Sequence, residues 1–164
     1  MARPITAPAD AANVRDTISL TGSSAGGRSG TAPVEFPRSP AGAGIWTNQG
    51  ASWDTTAQPD GQYDLRVVTT DNAGNSFTSA TITVRVDNTA PTATMGDPGA
   101  DLSGTVTLTS TTNDGGSGLA SVTYQRSPAN ANTWTNQAAS WDTTGSADGL
   151  YDLRVIAGDN AGNS

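Results

Sequence analysis

Two observations predict that this chain is an all-β protein built from two tandem β-sandwiches. Residues 17–76 return in register as residues 105–164, an offset of 88, and such a fixed period indicates one structural unit copied along the chain. Apolar and polar residues also alternate with a period of two, and no stretch has the apolar spacing of a helix. This alternation predicts short strands that are half buried against a core.

The strands of the first repeat follow in chain order. An irregular strand opens the repeat near Ile5, and the next strand places Ile18 and Leu20 on one face. Three short segments bounded by turn-forming residues come next, and two long alternating strands close the repeat. Seven short strands separated by turns favour a sandwich. The predicted strands are residues 5–9, 17–21, 33–38, 45–48, 52–55, 62–70 and 77–87.

The turn cluster DNAGNS at residues 71–76 lies between the two longest strands, so these strands are predicted to form a hairpin. We expect Gly74 to take the positive φ that the turn needs. An Asp-Gly pair precedes Tyr63 and the apolar Leu65, a spacing that predicts a tyrosine corner. In such a corner the phenol hydroxyl donates to an upstream backbone carbonyl. The second repeat carries the same pattern at Tyr151.

The composition restricts the chemistry that this chain can perform. It has 164 residues with no Cys and no His, which excludes disulfides and metal sites built on thiolate or imidazole. All eight basic residues are Arg, and without Lys a Lys–Asn isopeptide cross-link cannot form. The net charge of −7 and the lack of a basic patch argue against nucleic acid and anionic membrane surfaces as partners. No apolar run approaches the roughly 20 residues of a membrane span, so we expect no membrane insertion.

The repeated motifs resemble those of a known family. The series W…SWDTT…DG-x-YDLRV…DNAGNS…VDNTAPT is similar to the bacterial immunoglobulin-like repeats of large secreted and cell-surface proteins. Its DG-x-Y corner and D-x-AGN hairpin also resemble fibronectin type III and cadherin-like modules. The resemblance implies two tandem immunoglobulin-like β-sandwiches, at residues 1–88 and 89–164. It also implies an extracellular or cell-surface location. A virion surface stays open as the alternative location, on the grounds of the missing export signal.

The second repeat stops at Ser164, where the first continues into the strand at residues 77–87. We therefore expect the second domain to lack its last strand, which leaves backbone groups and half a core uncovered. An excerpt of a longer, filamentous array is the favoured explanation. The alternatives are strand donation by another chain, as in pili, and a groove filled by a neighbour's N-terminal segment. The N-terminus has no apolar segment typical of a signal peptide, which fits an excerpt, a removed signal or a protein without one.

Calcium is the first site hypothesis and the one cofactor that the sequence suggests. The junction between the repeats has Asp87-Asn88 before Thr-Ala-Pro and resembles the calcium-binding linker of cadherins. It departs from that pattern because one Asp stands beside an Asn where cadherins have several acids. The alternative is that this pair caps the strand end by ordinary turn chemistry. Ca²⁺ takes hard oxygen ligands, and the candidates are Asp71, Asp87, Asn88, Asp97 and Asp101.

The aromatic residues are the second candidate site. Exposed, coplanar indoles can stack on the apolar faces of sugar rings, which would make a glycan-binding surface. The alternative is packing in the core and at its edges, and recurrence at identical repeat positions favours it because each copy must build the same sandwich. The residues predicted to be structural are Tyr63, Tyr151, Trp46, Trp134, Trp53 and Trp141.

No catalytic site is predicted. Asp54, Asp60 and Asp64 could pair as acid and base, as carboxylates do in glycoside hydrolases. They occupy turns or outward strand positions, however, where solvated carboxylates are ordinary. Arg66 is expected to form a weak surface ion pair with Asp64. Without Cys, His or Lys, the choice of nucleophile and general base is nearly empty.

The sequence thus predicts a non-enzymatic structural or spacer module of an extracellular repeat protein, part of a filament or surface stalk. Its expected partners are further repeats of the same chain or neighbouring copies, up to a homo-oligomeric filament. Two alternatives stay open at this point. One is an adhesive module that binds glycan or protein through loops at one end of the sandwich. The other is a filament or virion-surface subunit assembled by strand donation.

Overall fold

The structure is a computed structural model that describes residues 5–23, Gly30 and residues 33–164. The chain divides into two compact units, unit 1 at Met1–Thr89 and unit 2 at Ala90–Ser164. The predicted domain boundary lies after Asn88, and residues 1–4 of the predicted first domain lie outside the described residues. In the described ranges, no helix is long and apolar enough to cross a membrane.

Unit 1 is built from short strands. Its described strands are β1 (Ile5–Ala7), β2 (Asn13–Val14), β3 (Thr17–Ser19), β4 (Thr21–Gly22), β5 (Pro37–Pro40), β6 (Thr47–Asn48), β7 (Ser52–Asp54), β8 (Gly61–Leu65), β9 (Val68–Thr70), β10 (Ser76–Thr78) and β11 (Ile82–Val86). A five-stranded sheet has the order β2-β11-β8-β5-β6, and the other pairs are β1–β4, β3–β7 and β9–β10. Within the sheet, β11 runs antiparallel to β8 and parallel to β2.

One hydrophobic core lies between the five-stranded sheet of unit 1 and the strand pairs β1–β4 and β3–β7. Period-two alternation places every second side chain of β8 and β11 in this core, while their neighbours are more exposed. The buried members of the core are Ile5, Val14, Leu20, Phe36, Trp53, Tyr63, Leu65, Val67, Val84 and Val86.

The two long strands predicted for unit 1 are each interrupted because each changes its partner. Residues 62–70 divide into β8 and β9, and residues 77–87 contain the separate strand β11. At the break, the Ser79 hydroxyl accepts the Val67 N–H and the Ser79 N–H donates to the Val67 carbonyl, both at 2.9 Å. The predicted hairpin is confirmed by the β9–β10 pair, and Gly74 in its turn has a φ of 87°. Strand β2 was not predicted, since two residues are too few to show alternation.

Unit 2 repeats the strand pattern with different lengths. Its strands are β12 (Thr92–Met95), β13 (Thr105–Thr107), β14 (Ser110–Asn113), β15 (Leu119–Pro128), β16 (Thr135–Gln137), β17 (Ser140–Asp142) and β18 (Tyr151–Asp159), with one 3₁₀ turn at Thr143–Gly145. The sheet order is β16-β15-β18, and the further pairs are β12–β14 and β13–β17. The register of the repeat is kept, because Arg38 faces Leu65 in unit 1 and Arg126 faces Leu153 in unit 2.

Candidate functional site

Each unit builds the same aromatic corner. Trp53 and Tyr63 meet edge to face with ring centroids 5.3 Å apart, and Trp141 and Tyr151 do so at 5.4 Å. Both tryptophans are buried. Each tyrosine hydroxyl donates to the backbone carbonyl four residues upstream at 2.9 Å, which is the geometry of a tyrosine corner. In both units, therefore, one indole and one phenol pack against each other at the edge of the core.

In each unit, an arginine guanidinium stacks on the tryptophan that lies outside the aromatic corner. Trp46 and Trp134 are half-buried, and the guanidinium carbons of Arg66 and Arg154 lie 3.8 and 4.1 Å from their ring centroids. Such cation–π contacts contribute about 0.5–1 kcal/mol at exposed sites. A sugar ring that stacked on the same face would have to displace the guanidinium. One face of the Trp46 and Trp134 indoles is therefore occupied by a side chain of the protein itself.

The surface ion pair predicted between Arg66 and Asp64 is wrong. Among the described residues, no ion pair joins these two side chains. The planar guanidinium stacks on Trp46 instead, and the Asp64 carboxylate accepts the Gly42 N–H and the Thr83 hydroxyl at 2.9 and 2.8 Å. Sequence proximity suggested the pair, because positions two apart on a strand share a face, but the fold gives each of the two side chains other partners.

Asp54 and Asp142 cap equivalent turns in the two units. One carboxylate oxygen of each accepts both the hydroxyl and the N–H of the threonine two residues later, Thr56 and Thr144, at 2.7 and 3.0 Å. These hydrogen bonds, the hydroxyl first, hold the pKa of both carboxyls below their ordinary value. A general acid needs a raised pKa, so the direction of both shifts opposes that role.

Asp60 and Asp64 fasten the last strand of unit 1. Asp64 accepts the hydroxyl of Thr83 in the middle of β11. Asp60 accepts the Asn88 N–H at 2.9 Å and the Thr89 hydroxyl at 2.6 Å, just beyond the end of β11. The carboxylates considered above as an acid–base pair therefore serve as anchors for a strand.

Asn88 inserts its side chain between two loops of unit 1. Its Oδ1 accepts the Asp16 N–H at 2.9 Å and the Thr55 hydroxyl at 3.2 Å, and its Nδ2 donates to the Thr55 carbonyl at 3.2 Å. Thr55 is fully buried. The amide of Asn88 thus closes unit 1 at the end of β11.

The other predicted calcium ligands occupy separate loops and strand ends. Asp71 accepts two backbone N–H groups of its own turn at 2.9 Å and one side-chain amide at 2.9 Å. Asp87 is buried and accepts the Thr89 N–H at 3.2 Å. Asp97 accepts the N–H two residues later at 2.8 Å, and Asp101 is exposed. Asp71 and Asp87 belong to unit 1, whereas Asp97 and Asp101 belong to unit 2.

A pair of carboxylates in unit 2 was missed from the sequence. Oxygens of Asp114 and Asp159 lie within 4.8 Å of each other. Burial raises the pKa of Asp159, but hydrogen bonds from the Asn163 side chain and from three following N–H groups outweigh it and leave the pKa lowered. Within the described residues, nothing donates to the buried Oδ1 of Asp114. Asp159 belongs to the repeated turn cluster, but the first repeat has Gly26 in place of Asp114, so comparison of the repeats could not reveal the pair.

The chain is similar to known proteins in both sequence and fold. Residues 38–88, which begin inside β5 and run past the end of β11, match the model of the bacterial Ig-like domain family. Among solved structures, the fibronectin(III)-like modules of Clostridium thermocellum CbhA are 17% identical, with a TM-score of 0.53 over 99% of this chain and 88% of that one. The FN1–FN3 domains of chicken CNTN1 are 15% identical, with a TM-score of 0.47 over 94% of this chain and 61% of that one. No curated protein matches the chain.

At 17% identity, the likeness to the CbhA modules shows the fold alone. It confirms that the chain is all-β and that its fold is that of tandem fibronectin III-like modules. The match to a family model covers the part of unit 1 in which the SWDTT, YDLRV and DNAGNS motifs occur. The resemblance noted in the sequence is thereby confirmed: residues 38–88 are similar to the bacterial Ig-like domain family, and the fold is similar to fibronectin III-like modules.

Proposed function

We propose that this chain is a structural or spacer element of an extracellular repeat protein. Bacterial Ig-like and fibronectin III-like modules are typically non-catalytic and extracellular or on the cell surface. One observation carries the spacer role: both units commit the same aromatic and charged side chains to internal contacts. The Trp53–Tyr63 and Trp141–Tyr151 corners and the Arg66 and Arg154 stacks recur with nearly the same geometry.

Side chains that make these internal contacts stabilise the fold of the unit, and the ring faces that they occupy are not available to bind a ligand. In unit 1, Asp60 and Asp64 anchor β11 and the residues after it, and Asn88 closes the loops beside it. Because β11 is hydrogen-bonded to both β2 and β8, these side chains secure an inner strand of the five-stranded sheet. A module that transmits force between its ends benefits from this arrangement, since the strand at the C-terminal end of unit 1 is held by side chains as well as by its backbone pairing.

Single-molecule force spectroscopy on the full chain, held between inert handle domains, tests the spacer role. Unit 1 is expected to unfold in one step that releases about 300 Å of chain, at up to about 3.6 Å per residue. Asn88→Ala should lower the unfolding force because it removes three hydrogen bonds beside β11. Gln62→Ala, at an exposed position of β8, is the matched control. Extension without a discrete unfolding step would contradict the proposal.

Adhesion to glycan is the second candidate function, and the half-buried indoles of Trp46 and Trp134 are the observation that favours it. A glycan array probed with the chain and with its Trp46→Ala and Trp134→Ala variants tests this role. Arg66→Ala is the informative companion, since it uncovers the face that the guanidinium now occupies. Binding that both tryptophan variants lose would favour adhesion over the spacer role.

Calcium binding is retained as a proposal, with Asp114 and Asp159 of unit 2 as the carboxylates that suit it best. A buried carboxylate oxygen without a donor, close to a second carboxylate, is costly unless a cation is present. Hard oxygen ligands of this kind are what Ca²⁺ takes. Asp71, Asp87, Asn88 and Asp97 each accept hydrogen bonds from the protein, and so does Asp159, so the feature that distinguishes the pair is the buried Oδ1 of Asp114.

A further inference from the structure

Unit 1 contains two buried N–H donors, close together, that have no hydrogen-bond acceptor among the described residues. They are the indole Nε1 of Trp53 and the guanidinium Nε of Arg38. Trp53 is 3% exposed, and the guanidinium carbon of Arg38 lies 5.5 Å from its ring centroid. A buried donor without an acceptor bears the cost of its lost hydration, and this cost is larger for a charged group. An acceptor at this place would therefore stabilise unit 1.

The same place in unit 2 has an acceptor. The Oγ of Ser146 accepts the indole N–H of Trp141 at 3.1 Å, and it also accepts an N–H of the Arg126 guanidinium. Trp141 and Arg126 are the counterparts of Trp53 and Arg38, 88 positions later. One oxygen thus satisfies a donor on each of the two side chains, so both can reach a single acceptor.

The two units position these side chains alike. In unit 2, the guanidinium carbon of Arg126 lies 5.2 Å from the ring centroid of Trp141 and 5.6 Å from that of Tyr151. In unit 1, the guanidinium carbon of Arg38 lies at the corresponding distances of 5.5 and 5.8 Å. The donors of unit 1 therefore converge on a place equivalent to the one that the Ser146 oxygen occupies in unit 2.

The two units differ in the residue that stands at the acceptor position. Gln58 lies 88 positions before Ser146. The backbone of this position is alike in both units, because the Gln58 N–H donates to the Thr55 carbonyl at 2.9 Å. The Ser146 N–H donates to the Thr143 carbonyl at the same distance. Within the described ranges, however, the half-buried side chain of Gln58 accepts a bond from neither donor. The lack of an acceptor in unit 1 thus follows from one side chain.

The chemistry of the two donors selects the class of ligand. An indole N–H and a guanidinium can donate hydrogen bonds but cannot accept them. A water molecule would accept from both, but its own two hydrogens would need acceptors in turn. Arg38 is also positively charged, and in the part of the chain that the structure describes it forms no ion pair with a carboxylate. A small anion accepts from both donors, brings no hydrogen and compensates the charge.

We propose that Arg38 and Trp53 of unit 1 bind one small monovalent anion of the chloride type. The anion accepts the indole N–H and a guanidinium N–H, and it takes the place that the Ser146 oxygen holds in unit 2. Its binding stabilises unit 1 alone, because the hydroxyl of Ser146 already satisfies the equivalent donors of unit 2. The inference does not depend on the spacer role or on the calcium proposal.

Hydrogen exchange of the full chain, measured by mass spectrometry while sodium chloride replaces sodium gluconate at constant ionic strength, tests the proposal. Gluconate is the control anion because it is too large for a buried site of this kind. The line width of ³⁵Cl in NMR gives the Kd for chloride. At chloride concentrations ten times that Kd, the slowest amides of β8 and β11 should exchange about tenfold more slowly. The slowest amides of β15 and β18 should change by less than about twofold, so unit 2 is an internal control.

Exchanging the acceptor residue between the units supplies matched variants. Gln58→Ser brings the hydroxyl of unit 2 into unit 1 and should abolish the chloride effect there. Ser146→Gln removes that hydroxyl from unit 2 and should create a chloride effect of about tenfold in β15 and β18. Circular dichroism checks that each variant folds, and either variant decides the matter if the other does not fold.

Three results would overturn the proposal. The first is slowing of equal size in both units of the unchanged chain, which is a general salt effect. The second is no slowing in unit 1 up to about 1 M chloride, in which case the acceptor is a water molecule or Gln58 itself. The third is a chloride effect in unit 1 that survives Gln58→Ser, since the anion would then bind elsewhere.

Discussion

Truncation of Val84 tests how unit 1 is closed. The side chain is 1% exposed and lies in β11 opposite Tyr63, inside the core of unit 1. Val84→Ala removes two methyl groups, each worth about 0.8 kcal/mol of transfer free energy. The cavity left behind adds about 1 kcal/mol, at roughly 24 cal/mol per Å³. The free energy of unfolding of unit 1 should therefore fall by about 2.5 kcal/mol.

Urea denaturation followed by hydrogen exchange and mass spectrometry measures this loss separately for each unit. Peptides from β8 and β11 report unit 1, and peptides from β15 and β18 report unit 2. Gln62→Ala, at an exposed position of β8, should change stability by no more than about 0.5 kcal/mol. A loss below about 1 kcal/mol for Val84→Ala would refute the reasoning, since it would mean that β11 does not close the core. An equal loss in unit 2 would refute it as well.

Four further predictions concern single side chains. Tyr63→Phe should cost unit 1 about 1 kcal/mol in the same assay, because the corner hydrogen bond is lost; no change would show that the bond adds nothing. Arg66→Ala should shift tryptophan emission to longer wavelength as one indole face becomes solvated, and an unchanged spectrum would contradict the stack. Thr144→Ala should raise the pKa of Asp142 toward its ordinary value in a ¹³C NMR titration, since the hydroxyl is the main cause of the lowering. The stabilisation from this ionised carboxylate is present above the ordinary pKa of Asp and is lost as pH falls through the lowered pKa. Millimolar CaCl₂ should raise the melting temperature of the chain, and Asp114→Asn should remove that rise; an unchanged melting temperature in chelator would end the calcium proposal.

Local features of the fold could be predicted because their causes are local. The DNAGNS turn contains a glycine, and Gly74 adopts the positive φ that a tight turn between β9 and β10 needs. Tyr63 lies two positions before Leu65, so both side chains point to the same face of β8 and enter one core. Each of these relations spans only a few residues, and the sequence shows them directly.

Relations between distant residues could not be predicted in the same way. Arg66 stacks on Trp46 because the fold brings the two side chains together, whereas the sequence suggested the nearer Asp64 as its partner. Asp114 and Asp159 are 45 positions apart, and only the loops of unit 2 bring their oxygens within 4.8 Å. The break at Val67 depends on Ser79, which replaces the strand pairing there. In each case the partner is chosen by packing, which no short sequence window contains.

The sequence by itself determined that this protein repeats one all-β unit, since alternation and turn residues act through neighbouring positions. It also determined which aromatic residues recur in each copy. Only the tertiary structure decided that Asp60, Asp64 and Asn88 anchor β11 and the residues around its end. The physical reason is that these hydrogen bonds join residues far apart in the chain, such as Asn88 and Asp16, and only the fold brings them within reach of each other.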